Sequence, residues 1–267
     1  MDHVLKKYCP RIDFDSYEDF AENFRIEVPE AFNFGFDVVD EWAAVEPDKR
    51  ALLWTNDAGE ERTFTFADIK RLSNQAANAF AELGIGKGDV VLCILRRRWE
   101  YWICAVALCK LGATIIPASL QLTRKDVVYR VNSADVKAIV AVNDDYVCTQ
   151  VEQAMPDCPS VIEKFIVDGS REGWVDFDDL IAGFPDTFER PTGDAAVTSK
   201  DIMLMYFTSG TTGNPKAVEH NFAHPLGHII TAKYWQQVRE NELHMTVTDS
   251  GWAKFGWGKI YGQWICG

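Results

Sequence analysis

The sequence predicts an α/β fold with a mostly parallel sheet flanked by helices, because strand-like and helix-like patterns alternate along it. Short unbroken apolar runs are separated by segments whose apolar residues recur every three or four positions. Apolar runs without polar alternation are typical of strands buried on both faces of a parallel sheet. The 267 residues, 47% hydrophobic and 25% charged, have the composition of a globular protein.

The first regular elements are predicted after residue 45. Residues 1–45 are rich in aromatic and acidic residues with weak periodicity, and we interpret them as an N-terminal extension packed on a main body of residues 46–267. A strand is predicted at 51–54. Thr65 and Asp68 have the spacing of a capping box that starts a helix, and Gly84 is placed to end it.

The alternation continues through four further strands, predicted at 90–95, 113–117, 138–142 and 164–167. The helix between the first two has an apolar stripe and is expected to end at Gly112; the stripe comprises Trp99, Trp102, Val106 and Cys109. Thr123 and Asp126 repeat the capping pattern, with Leu122 and Val127 spaced as a hydrophobic staple. Residues 190–200 form the best candidate for a linker.

Charge and cysteine content exclude several function classes. With 27 basic and 40 acidic residues the net charge is −13, so a broad nucleic-acid-binding surface is not expected. The seven cysteines are scattered and form no C-x-x-C pair, which predicts neither a disulfide framework nor a zinc site. No signal peptide and no membrane span are predicted from the apolar runs. We therefore expect a reducing, cytoplasmic location.

One loop concentrates groups that bind phosphate. A predicted strand at 202–206 runs into residues 207–216, which combine four hydroxyl side chains, two glycines and Lys216. Glycines permit close backbone approach to a ligand, and hydroxyls, backbone N–H groups and an ammonium neutralise phosphate oxygens. Ordinary surface turns rarely carry so many such groups behind a core strand. The Walker pattern G-x-x-x-x-G-K-[ST] does not match, which disfavours a P-loop NTPase.

Residues Tyr206–Lys216 resemble the signature loop of the adenylate-forming superfamily, which includes acyl-CoA synthetases, peptide-synthetase adenylation domains and firefly-type luciferases. The stretches at 65–68, 86–91 and 105–117 resemble the start of these enzymes' large domain. Residues 216–228 and 249–252 are most similar to the medium-chain and acetyl-CoA synthetase branch. The resemblance extends from about Asp40 to Gly267, and implies the N-terminal portion of the large domain of an acyl-CoA synthetase-like enzyme.

The resemblance implies a two-step reaction. A carboxylic acid attacks the α-phosphate of Mg²⁺-bound ATP to give an acyl-adenylate and pyrophosphate, and coenzyme A then displaces AMP to give a thioester. The loop residues that would hold the β- and γ-phosphates are Thr208, Ser209, Gly210, Thr211, Thr212, Gly213 and Lys216. This chemistry needs positioning and charge neutralisation but no protein nucleophile.

In the resembled family the Mg²⁺-binding acid, the ribose-binding aspartate, the catalytic lysine and a small C-terminal domain lie further along, so the catalytic residues are expected beyond Gly267. We therefore expect this polypeptide to be inactive alone. Two alternatives remain open, another acid-adenylating enzyme and a non-catalytic fragment that binds nucleotide. A domain cut short exposes apolar surface, which predicts a possible homo-oligomer.

Weaker signals lie near the end of the sequence. Trp252, Gly256 and Trp257 are candidates for a wall of the acyl pocket, with core packing as the equal alternative. The spacing of His220, His224 and His228 would suit a metal on a helix, but Pro225 interrupts it and no further ligand is evident, so no metal site is predicted. We expect the side chains of Lys254, Lys259 and Arg96–Arg98 to be exposed to solvent.

Overall fold

A computed structural model describes residues 2–208 and 213–267. Within these ranges the chain forms a two-stranded sheet and a seven-stranded sheet. The strands are β1 Arg50–Thr55, β2 Glu61–Thr65, β3 Val90–Ile94, β4 Thr114–Pro117, β5 Val136–Val142, β6 Glu163–Val167, β7 Val175–Asp176, β8 Ile202–Thr208 and β9 Lys216–Asn221. The helices are α1 His3–Tyr8, α2 Tyr17–Asn23, α3 Glu41–Val45, α4 Phe66–Glu82, α5 Glu100–Leu111, α6 Arg124–Ala134, α7 Asp145–Ala154, α8 Phe177–Ala182, α9 His224–Gly227, α10 Ala253–Lys259 and α11 Tyr261–Cys266.

The large sheet has the strand order β7-β6-β5-β3-β4-β8-β9. Its strands pair in parallel except for the antiparallel pair β8–β9 at one edge. The predicted α/β fold with a mostly parallel sheet is therefore confirmed. The strand predicted at 51–54 forms as β1, but it pairs with β2 in a separate antiparallel hairpin. Strand β2 was not predicted, because it lacks an apolar run and only Phe64 in it is buried.

Both predicted capping boxes are present. The backbone N–H of Asp68 donates to Thr65 Oγ1 at 3.1 Å, and the backbone N–H of Thr65 donates to Asp68 Oδ2 at 3.0 Å. Thr123 and Asp126 make the same reciprocal pair at the start of α6. Gly112 ends α5 at φ +78°, a conformation that residues with a Cβ rarely adopt.

Helix α5 is buried along its whole length. The predicted apolar stripe is therefore only part of its buried surface, which also includes two charged residues. Lys110 Nζ lies 2.7 Å from Asp40 Oδ1, and Glu100 lies 2.7 Å from the guanidinium of Arg98. Burial lowers the pKa of Lys110 and raises that of Glu100, and these ion pairs oppose both shifts.

The N-terminal residues pack on the main body and reach the C-terminal helices. Val4 and Leu5 are fully buried, and the indole N–H of Trp42 donates to the carbonyl oxygen of Trp264 at 2.7 Å. In the segment predicted as a linker, the carbonyl of Ala196 accepts a hydrogen bond from Lys87 Nζ. The division into residues 1–45 and 46–267 stays a prediction. In the part of the chain described, no helix is long and apolar enough to cross a bilayer.

Candidate functional site

The candidate site lies at the edge of the large sheet where its parallel strands end. Because β3, β4, β5, β6 and β8 run in the same direction, the segments that follow them meet at one edge. Ligands of open α/β sheets bind outside the carboxyl ends of the strands. Thr208 ends β8 and Lys216 begins β9, so these two described residues of the predicted phosphate loop lie at this edge.

The two ends of the loop are the facing ends of the β8–β9 hairpin. Thr208 pairs with Lys216, both are exposed, and Thr208 Oγ1 donates to the carbonyl oxygen of Lys216 at 3.4 Å. Gly213 has φ +114°, which a residue with a side chain would rarely adopt. The predicted phosphate ligands Ser209, Gly210, Thr211 and Thr212 lie outside the described residues. The open end of the β8–β9 hairpin therefore carries a hydroxyl group, from Thr208, and an ammonium group, from Lys216.

Two residues of helix α6 contact the β8–β9 hairpin, and this contact was not predicted from the sequence. Tyr129 Oη donates to the carbonyl oxygen of Pro215 at 2.9 Å. The guanidinium of Arg130 lies 5.2 Å from the centre of the Phe207 ring, within the range of a cation–π contact. Both residues precede the loop by many positions along the chain, and neither belongs to a recognisable motif. Their role depends on tertiary packing alone.

The three acyl-pocket candidates do not face one another as a group. Trp252 is 65% exposed, whereas Gly256 is buried. A Cβ at Gly256 would stand 2.8 Å from Tyr206 Oη and 3.0 Å from the ring of Tyr261. Trp257 lies against Trp235, with ring centres 5.6 Å apart. Gly256 therefore has a packing role beside β8, and it places α10 next to the strand that leads into the loop.

The three histidines cluster beside the hairpin, although no continuous helix carries them. His220 lies on β9, and its ring centre is 4.2 Å from that of His224, whose Nε2 is 3.1 Å from Nε2 of His228. Burial, then the neighbouring imidazoles, lowers the pKa of His224 to about 3 and that of His228 to about 4. Among the described residues, no group of three or more His, Cys, Asp or Glu could hold a metal ion.

The amino-acid sequence of this fold also matches the model of a known protein family. Residues 39–266 match the model of the AMP-binding enzymes, which is most of the chain. The chain belongs to the AMP-binding enzyme family. This confirms the resemblance read from the loop and its flanks. Tyr206, the first residue of the resembled loop, and Tyr261 lie between the histidine cluster and Gly256.

Relatives of this AMP-binding chain are named as acyl-coenzyme A synthetases. It is 33% identical over 264 residues to acyl-coenzyme A synthetase ACSM3, mitochondrial, of Homo sapiens, covering 95% of this chain and 44% of that protein. It is 36% identical over 252 residues to ACSM5, mitochondrial, of Mus musculus, covering 91% and 42%. The chain therefore spans less than half the length of these relatives, and it matches them as the predicted N-terminal half.

Solved structures share the fold. An acyl-CoA synthetase of Brucella canis superposes with a TM-score of 0.80 at 20% identity, covering 95% of this chain and 47% of that one. An anthranilate CoA ligase, AuaEII, solved with anthranoyl-AMP, superposes with a TM-score of 0.74 at 23% identity, covering 90% and 44%. At these identities the similarity supports the architecture of the AMP-binding fold.

The prediction of a cytoplasmic location is wrong by these comparisons. The relatives named above are mitochondrial proteins. The prediction used the cysteines, and all seven are indeed free and buried. Free thiols indicate a reducing environment, but they do not distinguish one reducing compartment from another. Cysteine content therefore carried less information on location than the prediction assumed.

Proposed function

We propose that this chain forms the ATP-phosphate-binding part of an AMP-forming acid–thiol ligase. The reaction joins a short- or medium-chain carboxylic acid to ATP, giving an acyl-adenylate and pyrophosphate, and coenzyme A then displaces AMP. Family membership and the names of the relatives support the reaction class. Since the chain spans under half of those relatives, the full reaction is proposed for the complete enzyme and nucleotide binding for this chain.

The observation that carries this proposal is the β8–β9 hairpin at the carboxyl edge of the sheet. Thr208 and Lys216 pair with each other at the open end of the hairpin, and the positive φ of Gly213 suits a turn between them. We assign the β- and γ-phosphates to the loop between them, with Ser209, Gly210, Thr211 and Thr212 as further ligands. A lysine and successive hydroxyl and N–H donors match the charge and oxygen atoms of a triphosphate.

The loop would act by position and charge. Attack on the α-phosphate leaves pyrophosphate carrying the negative charge, and Lys216 would stabilise that charge as it develops. Mg²⁺ would enter bound to the triphosphate, where it lowers the charge that the attacking carboxylate meets. The described loop residues offer hydroxyl and ammonium groups rather than carboxylates. We therefore assign no Mg²⁺-binding carboxylate to the described residues of the loop.

We place the acid substrate near α10. Gly256 brings this helix against Tyr206, which lies two residues before Thr208, so α10 packs beside the strand that leads into the phosphate loop. Trp257 and Trp252 would form apolar walls for an aliphatic chain. Trp252 is mostly exposed and Trp257 packs against Trp235, so their role is tested by the effect of substitutions on substrate selectivity rather than on stability.

Nucleotide binding and catalysis are tested together with Lys216→Ala. Calorimetric titration with Mg²⁺-ATP should show binding to the unmodified chain and at least about tenfold weaker binding to the variant, since a charged hydrogen-bonding partner is lost. Lys200→Ala is the matched control, because Lys200 is an exposed lysine at the opposite end of β8. Equal affinities of all three proteins for Mg²⁺-ATP would contradict the proposed site.

Acid-dependent ATP–pyrophosphate exchange with a panel of carboxylic acids separates binding from turnover. Exchange that depends on one class of acid and disappears in Lys216→Ala identifies the substrate class. Binding of Mg²⁺-ATP without exchange would show that this chain binds the nucleotide but does not carry out adenylation by itself. Exchange that persists in Lys216→Ala would overturn the role assigned to the lysine.

A further inference from the structure

Helix α6 contacts the β8–β9 hairpin on both sides of the phosphate loop. On the β8 side, the ring centre of Tyr129 lies 6.2 Å from that of Phe207 in an edge-on contact, and the guanidinium of Arg130 lies 5.2 Å from the same ring centre. On the β9 side, Tyr129 Oη donates to the carbonyl oxygen of Pro215 at 2.9 Å. One helix therefore holds the chain before the loop and after it.

Helix α6 is itself fixed on the body of the protein. Val127 and Val131 are fully buried, so one face of the helix packs in the core with side chains of β5. Arg124 Nε donates to the carbonyl oxygen of Gln153 at 2.9 Å and connects the first turn of α6 to α7. Side chains on a helix that is fixed in this way can hold a contacting segment in one orientation.

The hydrogen bond from Tyr129 fixes the peptide group that precedes Lys216. A peptide group is planar, so holding the carbonyl oxygen of Pro215 also sets the direction of the Lys216 N–H and the position of its Cα. Proline has no N–H of its own, which leaves this carbonyl as its only backbone hydrogen-bonding group. The carbonyl oxygen of Lys216 in turn accepts from Thr208 Oγ1 at 3.4 Å. Hydrogen bonds therefore hold the peptide groups on both sides of the Lys216 Cα.

Arg130 is oriented by an acid of its own helix. Arg130 Nη1 donates to the carbonyl oxygen of Asp126 at 3.1 Å, and the same nitrogen lies 3.6 Å from Asp126 Oδ1. Its cation lies over the Phe207 ring, where cation–π attraction adds to packing. Phe207 directly precedes Thr208, the last residue of β8. Arg130 therefore stabilises β8 at the point where the loop begins.

The position of Lys216 depends strongly on such contacts, because the strand that carries it is exposed. Residues 216–219 of β9 are exposed, and β9 lies at one end of the strand order of the large sheet. An edge strand with exposed side chains has little buried apolar surface to fix its position. Each hydrogen bond to this part of the chain therefore has a larger share in ordering it than it would have in the core.

We propose that Tyr129 and Arg130 are positioning residues, which hold Lys216 in the orientation in which its ammonium group meets the phosphates of ATP. Neither side chain is assigned a contact with the nucleotide, since both act through the hairpin. This inference rests on the proposed function and adds to it the helix that orients the lysine before the nucleotide arrives. A site that is already oriented loses less conformational entropy on binding, which raises its affinity.

Tyr129→Phe tests the hydrogen bond, because it removes the hydroxyl and leaves the ring beside Phe207. Calorimetric titration with Mg²⁺-ATP should show about two- to tenfold weaker binding, the range expected for the loss of one neutral hydrogen bond. Tyr146→Phe is the matched control, since Tyr146 is an exposed tyrosine of α7, and its ATP affinity should equal that of the unmodified chain. Thermal unfolding by circular dichroism checks that each variant is folded.

A double-mutant cycle with Lys216→Ala separates positioning from general support of the fold. If Tyr129 acts through Lys216, Tyr129→Phe should change ATP affinity by less than about twofold in the Lys216→Ala background. An equal loss in both backgrounds would contradict the positioning role, because the tyrosine would then act independently of the lysine.

Arg130→Gln should weaken ATP binding about two- to fivefold, because the cation–π contact with Phe207 is lost. This loss should also disappear in the Lys216→Ala background, and Arg130→Lys should restore part of the affinity. A loss that persists without Lys216 would mean that Arg130 contacts the nucleotide itself, and it would overturn the positioning role of Arg130.

Hydrogen exchange of the free chain measures the positioning without the nucleotide. Tyr129→Phe should raise the exchange rate of the Lys216 amide about two- to tenfold, because the peptide group that carries this N–H is no longer held. If Lys216→Ala weakens ATP binding while Tyr129→Phe changes neither the exchange rate nor the affinity, the positioning role fails and the proposed function stands. If Lys216→Ala binds Mg²⁺-ATP as tightly as the unmodified chain, the proposed function fails, and the positioning role fails with it.

Discussion

The large sheet and the segment that follows the hairpin differ in how their apolar residues are used. In the sheet, β3, β4 and β5 bury their apolar side chains almost completely. Within residues 236–252, positions 243–247 reverse this pattern, since Leu243, Met245 and Val247 are 60%, 78% and 81% exposed while Thr246 is buried. The first region completes its own core, and the second presents an apolar face outward.

The difference shows what local patterns can specify. A strand buried on both faces needs only apolar residues and neighbours, which the sheet supplies. An extended segment with alternating exposed apolar and buried polar residues has its favourable surface directed at solvent. The sheet is therefore stabilised by its own buried side chains, whereas residues 236–252 are held in place by particular contacts with the sheet. Four predictions test that contrast.

The largest effect is expected from Phe165→Ala in β6. Phe165 is fully buried and meets Phe80 edge-on with ring centres 5.4 Å apart. Truncation leaves a cavity in the core and should lower the free energy of unfolding by about 3–5 kcal/mol. Urea denaturation followed by circular dichroism measures it. Trp252→Ala removes a ring that is mostly exposed and should cost less than about 0.5 kcal/mol. Similar losses in both variants would contradict the contrast.

The second-largest effect is expected at Gly251, where residues 236–252 contact the backbone that follows β4. A Cβ at Gly251 would stand 2.6 Å from Cα of Ser119 and 2.7 Å from the carbonyl carbon of Ala118, just after β4. Because these are backbone atoms, Gly251→Ala should force a displacement and cost about 1–3 kcal/mol. Gly86→Ala is the control, since a Cβ there meets nothing within 4 Å. A Gly251→Ala protein as stable as Gly86→Ala would show that the segment is not held against β4.

The third effect is a pH dependence that originates in the histidine cluster. The pKa values of His224 and His228 are lowered to about 3 and about 4, chiefly by burial, and the aromatic rings next to them are those of His220 and Tyr261. A lowered pKa gives stability that is present above the unfolded value near 6.5 and is lost as pH falls toward 4. Each histidine should contribute on the order of 1–2 kcal/mol to the loss between pH 7 and pH 5. Replacing both by Gln should flatten this loss in urea denaturation.

Asp178, in helix α8, is a control because its pKa is shifted in the opposite direction to those of the two histidines. Burial, then repulsion from Glu100, raises the pKa of Asp178 to about 7. A raised pKa gives stability that is present at low pH and is lost as pH rises from about 4 to 7. Asp178→Asn should therefore make the acid-induced loss steeper, opposite to the histidine variant. Parallel pH profiles for all three proteins would rule out both assignments.

The same contrast explains how much the sequence predicted. The capping boxes at Thr65 and Thr123 and the strands of the sheet depend on neighbours in the chain, so pattern recognition located them within a few residues. The support of the hairpin by Tyr129 and the partial burial of Lys259 depend on residues brought together from distant segments. Lys259 was expected to be exposed, but it is half-buried near Arg97, which follows β3. Long-range packing leaves no local signature of this kind.

The smallest effect on folding and the clearest effect on association are expected at Met245 and Val247. We predict that the chain self-associates through the exposed side of residues 243–247, because apolar side chains there gain by leaving water. Met245→Lys with Val247→Lys should change the free energy of unfolding by less than about 0.5 kcal/mol, since both side chains are already exposed. Light scattering across a wide concentration range should show association in the unmodified chain and less of it in the variant. A Lys200→Ala protein controls for surface substitution in general. If the unmodified chain is monomeric at every concentration, the outward apolar face does not drive self-association, and the contrast with the sheet would concern packing alone.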